Sequence, residues 1–184
     1  GALRSNLKSG SLAEGASTIT QQLIKNITGD DEQTITRKLR EMYRALMLER
    51  HFDKREILEL YLNIVPMGEN CIGVAAGAER YFGKTPQELS AAEAAALAAI
   101  INAPARYDPL DNPQSNRTRR QVILREMHRY GMISYEEYQQ AADEELTVRE
   151  HGVADVGTVR SWYTETLIDD VITDLIEKAG YSRA

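Results

Sequence analysis

The chain has 184 residues, 42 % hydrophobic and 27 % charged, with a formal net charge of −6. That is the composition of one globular domain with a real core, and it argues against disorder and against general nucleic-acid binding. The single cysteine, Cys71, excludes an internal disulfide, and no apolar run reaches the length of a membrane span.

Charge is unevenly placed. Residues 1–55 hold ten Lys/Arg against seven Asp/Glu, and residues 56–184 hold twelve against twenty-one. A basic front third on an acidic body points to a local anionic ligand rather than a basic surface all round. The chain opens on Gly1-Ala2-Leu3 without a signal-like segment. It is therefore expected to start in mid-protein, with any membrane anchor upstream.

The first dense polar stretch is Gly15-Ala16-Ser17-Thr18-Ile19-Thr20-Gln21-Gln22-Leu23-Ile24-Lys25-Asn26. Ser17 or Thr18 can cap a helix N-terminus, whose free N–H groups favour anions. On that helix Thr18, Gln22 and Lys25 share one face through i+4 and i+3 spacing and can hold an oxygen-rich ligand. A polar, capped surface helix explains the same residues. The next helix runs from about Gln33 to His51, and Ile35, Leu39, Met42, Tyr43 and Leu46 form its expected core stripe. Arg37, Lys38 and Glu41 lie together on the other side, and their arc continues into Ala45 and Leu48. A carboxylate on an arc that turns apolar is expected to be partly buried, and to need a cation or a hydrogen bond there. With Lys25, the pair Arg37 and Lys38 makes a cation cluster suited to phosphate oxygens, and a simple surface ion pair is the plainer alternative.

Asp53 with Glu56 signals a helix start for Lys54–Ile64. Helices are predicted over 73–82, with Gly83 as its stop, and over 91–102, opened by the capping pair Ser90 and Glu93. The connection 103–112 reads as the longest irregular piece in the body. Further helices follow over 114–130, stopped by Gly131, and over 135–145, opened by Ser134 and Glu137. Arg119-Arg120 reads as a solvated or salt-bridged face. His51, His128 and His151 lack metal-ligand spacing and read as structural or solvated. Residues 149–159 look like a linker, and Trp162, Leu167, Val171, Leu175 and Ile176 space one more amphipathic helix over 160–178. Seven or eight helices with little or no sheet make the fold mainly α.

These motifs stand in a recognisable order. Gly15-Ala16-Ser17-Thr18-Ile19-Thr20-Gln21-Gln22 with Lys25-Asn26 resembles the second signature of the peptidoglycan glycosyltransferases, the polymerase domains of class A bifunctional penicillin-binding proteins and of monofunctional transglycosylases. Arg37-Lys38-x-x-Glu41 resembles the third signature. Lys54-x-x-Ile57-Leu58-Glu59-x-Tyr61-Leu62-Asn63 resembles the fourth, and Arg119-Arg120-x-Val122-x-Leu124-x-x-Met127 the fifth. The stretches Tyr81-Phe82-Gly83-Lys84 and Asn102-Ala103-Pro104 also look familial. Four ordered signatures across 15–127 make coincidence a poor explanation.

The resemblance implies a lysozyme-like helical glycosyltransferase domain at the outer, extracytoplasmic leaflet of the cell membrane. It implies lipid II and the nascent glycan strand as partners, polymerisation with inversion and release of undecaprenyl pyrophosphate, and other cell-wall synthesis proteins as further partners. Glu41 matches the glutamate that assists pyrophosphate departure, directly or through a divalent cation (Mg or Mn). Ser17, Thr18, Gln22, Lys25, Arg37 and Lys38 match residues around the donor's phosphates and sugar. Residues 1–148 would form the glycosyltransferase domain, and 149–184 the linker and helix leading towards a transpeptidase.

Two departures follow. The first signature, a Glu-Asp pair followed by Phe and His, should precede Gly15 by some distance and does not occur in residues 1–14. The 184 residues alone are therefore expected not to polymerise. Gln33 stands where many relatives carry a basic residue. Two other functions fit parts of the pattern: a non-catalytic remnant that binds lipid-linked substrate or a cell-wall partner, and a glycoside hydrolase. Against the hydrolase, a glycan carries no pyrophosphate for the cation cluster to hold.

Overall fold

The structure, a computed structural model, describes residues 17–29 and 34–149. Gln33, the residues before Ser17, and the linker and helix expected beyond Arg149 lie outside them. Among the described residues there are eight α-helices, one 3₁₀ turn and no strand; Pro66 and Ile72 form a lone antiparallel bridge. The helices are α1 (Ile19–Thr28), α2 (Ile35–His51), α3 (Lys54–Ile64), α4 (Val74–Phe82), α5 (Ala91–Asn102), α6 (Pro104–Tyr107), α7 (Pro113–Arg129) and α8 (Tyr135–Asp143). The fold is mainly α, as the sequence pattern predicts.

Local chemistry sets most boundaries. Thr18 accepts a hydrogen bond from the Gln21 N–H at α1, and Thr34 does so from Arg37 at α2. Reciprocal Ser–Glu pairs open α5 (Ser90, Glu93) and α8 (Ser134, Glu137), as expected. At α3, the Asp53 carboxylate accepts from the Glu56 N–H at 2.9 Å while Glu56 accepts from the Asp53 N–H at 2.6 Å. Gly29 and Gly83 end α1 and α4 in left-handed geometry. The connection 103–112 is less irregular than expected: Pro104 opens the short α6, because a proline at the first helical position forfeits an N–H that has no partner there anyway.

The described chain divides into two compact units, with the division inside α3 after Tyr61. In the first, α1 packs on α2. Leu23, Ile24, Ala45, Leu48, Ile57, Leu60 and Tyr61 are its buried apolar residues. Here one expectation fails and another holds. Of the expected core stripe of α2, Ile35, Leu39, Tyr43 and Leu46 are more than half exposed and Met42 is half-buried, whereas Glu41, on the arc that turns apolar at Ala45 and Leu48, is buried with them as that arc predicts. The larger apolar stripe loses because the α2 arc turned inward is the one whose small Ala45 and charge-paired Glu41 fit beside the polar start of α1.

In the second unit, the alanines of α5 bring α7 close: Ala92, Ala95, Leu124 and Ala141 form a buried cluster with Ile123, Met127 and Tyr138 around it. Asn116 on α7, 1 % exposed, donates to the carbonyls of Ala96 and Tyr107. Arg120 corrects a second expectation. It is no solvated face but 3 % exposed, and it donates to the Glu144 carbonyl at 2.9 Å, capping the end of α8. His128 stacks on Tyr138, and His51 is exposed.

Candidate functional site

The site lies in the first unit, where the N-terminus of α1 meets the first two turns of α2. Its centre is Glu41, 5 % exposed. Arg37, one turn earlier, donates from Nη1 to Glu41 Oε2 at 2.6 Å. Lys38 donates from Nζ to Glu41 Oε1, to Ser17 Oγ at 2.7 Å and to Gln21 Oε1 at 3.2 Å. An ammonium group has three donors, and all three are used. The side chains of Arg37 and Lys38 are 16 % and 27 % exposed, so the two cations are covered but reachable. Among the described residues, two positive groups face one carboxylate next to the N–H groups of a helix start, where an anion is favoured.

The remaining predicted residues are placed less centrally. Thr18 is spent on capping α1, its hydroxyl accepting from Gln21 N–H at 3.2 Å. The Gln22 side chain is half-buried: its Oε1 accepts from the Tyr61 hydroxyl at 2.9 Å, and its Nε2 faces the Ser17 carbonyl at 3.5 Å. Lys25 is exposed one turn further along α1. The structure thus brings Ser17, Arg37, Lys38 and Glu41 into one hydrogen-bonded group, puts Gln22 next to Ser17, and leaves Lys25 outside the group.

Three partners of this site carried no assigned role in the sequence reading. Gln21 holds Lys38, and its signal is its place one turn after Ser17. Tyr61 holds Gln22, and a tyrosine on the otherwise aliphatic arc Ile57, Leu60, Ile64 is itself a sign of a polar tip in need of a partner. Thr20, 6 % exposed, donates to Glu49 at 2.6 Å and clamps α1 onto the far half of α2. Nothing in the sequence spacing pairs residues 20 and 49.

A second polar cluster occurs in the other unit. Glu69, Asp108 and Asp111 bring carboxylate oxygens within 4.8 Å of one another. Such hard oxygens suit Mg²⁺ or Mn²⁺. Part of their capacity is already used: Arg80 pairs with Glu69 at 3.1 Å, and Asp108 accepts from the Tyr81 hydroxyl at 2.9 Å and from the Leu110 N–H at 2.8 Å. Burial, followed by the hydrogen bond to Asp108, pushes the Tyr81 hydroxyl far above its ordinary range.

Comparison with known proteins places the chain. A family model described as Transglycosylase matches residues 1–128. Penicillin-binding protein 1A of Aquifex aeolicus (strain VF5) is 45 % identical over 144 residues, covering 78 % of this chain and 20 % of that protein. Penicillin-binding protein 1A of Clostridium perfringens (strain 13 / Type A) is 39 % identical over 198 aligned positions, covering 100 % of this chain and 29 % of that protein. The crystal structure of penicillin-binding protein 1A from Haemophilus influenzae superposes with a TM-score of 0.51 at 28 % identity, covering 93 % of this chain and 22 % of that one. The chain therefore spans between a fifth and a third of the proteins it matches. With the family model covering well over half of its residues, and the α1–α2 cation cluster lying inside the matched stretch, the chain belongs to the transglycosylase family.

Proposed function

We propose that this chain supplies a peptidoglycan glycosyltransferase domain, which polymerises lipid-linked disaccharide into glycan strands and releases undecaprenyl pyrophosphate. The observation that carries the reading is the single group in which Lys38 joins Ser17, Gln21 and Glu41 while Arg37 holds the other oxygen of Glu41. A neutral sugar needs no such pair of fixed cations; a diphosphate does.

In the proposed reaction the sugar 4-hydroxyl of the acceptor attacks the anomeric carbon of the donor. The bond from that carbon to the pyrophosphate oxygen breaks, and the configuration inverts. Negative charge grows on the leaving oxygen. Arg37, Lys38 and the α1 N-terminus are fixed before the reaction begins, so they stabilise that charge without reorganising. Glu41 keeps the two cations apart and aimed, and their bonds pass to phosphate oxygens when the donor binds. Both oxygens of Glu41 are engaged by cations, so the proton of the attacking hydroxyl must go to a different base. Gln22 and Lys25 extend the donor site along α1.

A divalent cation would supply further charge neutralisation at the diphosphate, and Glu41, already holding two cations, is a poor ligand for it in this arrangement. The carboxylates of Glu69, Asp108 and Asp111 in the second unit offer by themselves an oxygen set that suits such a cation. In the same reading, residues 1–148 form the polymerase domain and 149–184 lead towards a transpeptidase. The domain works at the extracytoplasmic membrane face on lipid II and the nascent strand, alongside other cell-wall synthesis proteins.

The test is polymerisation of labelled lipid-linked disaccharide by residues 1–184 and by a longer form that begins upstream and includes the first signature, a Glu-Asp pair followed by Phe and His. Glycan made only by the longer form, and abolished by Glu41→Gln, is the expected result. Glycan made by residues 1–184 alone would move the base onto a residue named above. Binding without polymerisation by both forms would favour a non-catalytic substrate-binding module.

A further inference from the structure

Gln22 is held by a residue on another helix. Tyr61 on α3 is 5 % exposed, and its hydroxyl lies 2.9 Å from Gln22 Oε1. The other end of the amide, Nε2, faces the carbonyl of Ser17 at 3.5 Å. A carbonyl oxygen can only accept, so the end of the amide beside it is the NH₂ group. The end beside Tyr61 is then the oxygen, and Tyr61 must be the donor. Burial pushes the Tyr61 hydroxyl above its ordinary value, so it keeps its proton through neutral and mildly alkaline conditions. The two contacts differ in quality. The bond from Tyr61 has good length, whereas 3.5 Å to Ser17 is at the outer limit for N–H···O. One end of the amide is fixed, and the other is only loosely occupied.

We propose that Tyr61 is a positioning residue: by taking the side-chain oxygen of Gln22, it turns the amide NH₂ towards the Ser17–Lys38 group, where it donates to an oxygen of the bound pyrophosphate donor. The inference rests on the function proposed above. An unrestrained glutamine amide can turn by half a rotation and present its oxygen lone pairs instead. Against a phosphate that orientation repels. Tyr61 removes it without touching the ligand, and it does so from the Tyr-Leu-Asn stretch of α3, whose part in the site the sequence alone leaves open.

The experiment uses the full-length protein and labelled lipid-linked disaccharide, with Tyr61→Phe, Gln22→Ala, the double variant and a fluorinated tyrosine at position 61. In an otherwise normal site, Tyr61→Phe should raise the KM for the donor roughly tenfold and leave kcat nearly unchanged, as for an interaction made equally in the bound and transition states. In the Gln22→Ala background the same substitution should have no further effect. A role in stability alone predicts the opposite: Tyr61→Phe would cost as much in the Gln22→Ala background as with the glutamine present, and would follow the melting temperature. That additive result, or a loss confined to kcat, overturns the positioning role while the glycosyltransferase reading stands. If the unsubstituted protein neither binds nor polymerises the donor, both readings fall together. Should Tyr61→Phe fail to fold, a fluorinated tyrosine at position 61 still decides. Once its more acidic hydroxyl has lost its proton it cannot donate to Gln22 Oε1, so a KM that rises with pH in that protein alone supports the assignment, and a KM that follows the parent's pH profile overturns it.

Discussion

Replacing Lys38 with methionine should destabilise the protein measurably although the side chain is only partly covered. The ammonium serves three acceptors on two helices: Ser17 and Gln21 on the α1 side, Glu41 on α2. Methionine keeps most of the stem and its packing, so the loss is polar. Ser17 and Gln21 are both half-buried and can turn to water, so each bond contributes at the lower end of about 0.5–1.5 kcal/mol. Glu41 cannot turn, being 5 % exposed, and it retains only Arg37. A charge-assisted bond of that kind contributes about 1.5–3 kcal/mol. Because solvent reaches the vacated space, the sum should stay at its lower end, about 2.5 kcal/mol, rather than the roughly 3–5 kcal/mol of a fully buried pair. For a chain of this size that corresponds to a fall in Tm of about 5–10 °C. Thermal unfolding followed by circular dichroism reads it, with Lys25→Met as the control, since Lys25 is exposed and outside the group. A Lys38→Met melt within about 1 °C of the parent would refute the idea that this ammonium ties α1 to α2, as would an equal fall in the Lys25 control.

Other expectations concern the second unit and the caps. Tyr81→Phe should cost about 1–3 kcal/mol in denaturant titrations, because it removes the one proton that the buried Met67 carbonyl and the buried Asp108 share. The same hydroxyl makes stability pH-dependent. Its folded-state value lies far above the ordinary 10.0, so its contribution is whole below pH 10.0 and is lost as the pH climbs above that; the Phe variant should show a shallower alkaline decline. Glu137, held by the Ser134 N–H and hydroxyl, lies below its ordinary 4.5, so its contribution is present above pH 4.5 and fades as the pH falls further. Glu137→Gln should flatten the acid limb of a stability–pH profile. Ala96→Leu should overpack the α5–α7 contact by about 1–3 kcal/mol, since Ala96 is 0 % exposed; an unchanged melt would refute close helix packing there. Gly73→Ala should be worse tolerated than Gly29→Ala. At φ +85 its new Cβ would meet the Asn63 carbonyl oxygen at 2.5 Å, whereas Gly29 has open space around it.

Elements with local signals were legible in the sequence, and faces decided by tertiary packing were not. The Ser90–Glu93 and Ser134–Glu137 pairs mark helix starts through bonds that span three residues, so spacing alone finds them. The α2 helix was equally legible as a helix, yet its inward face was misread from the strength of the Ile35–Leu39–Tyr43–Leu46 stripe. Periodicity reports that a helix has two faces. It does not report which face a neighbour covers, and here the covered one is the weaker arc of Glu41, Ala45 and Leu48, whose turn to apolar residues already marked Glu41 as a buried carboxylate in need of a cation. Arg120 was misread for a related reason: its partner is a backbone carbonyl, at Glu144, and carbonyls leave no mark in a residue pattern.

That failure bears on the site itself. A helix that hides a glutamate and leaves four large apolar residues exposed gives up burial worth roughly 1.5–3 kcal/mol for each such side chain turned inward. Stability alone does not select that orientation. It does place Glu41, Arg37 and Lys38 against the start of α1, where helix N–H groups and two fixed cations converge. Rules of local consistency tend to break at functional sites, and α2 breaks the strongest of them at the residues where a diphosphate would bind. Turning α2 so that its apolar stripe faced inward would bury more hydrocarbon, and it would also carry Lys38 away from Ser17 and Gln21. Glu41→Leu, made in the longer form that includes the first signature, should test the trade directly. If burial is what the helix lacks, the variant gains stability despite stranding two cations that solvent can still reach, while polymerisation is lost. A variant both less stable and inactive would mean that the carboxylate is needed to hold α1 and α2 together, and the argument for a functional compromise would fail.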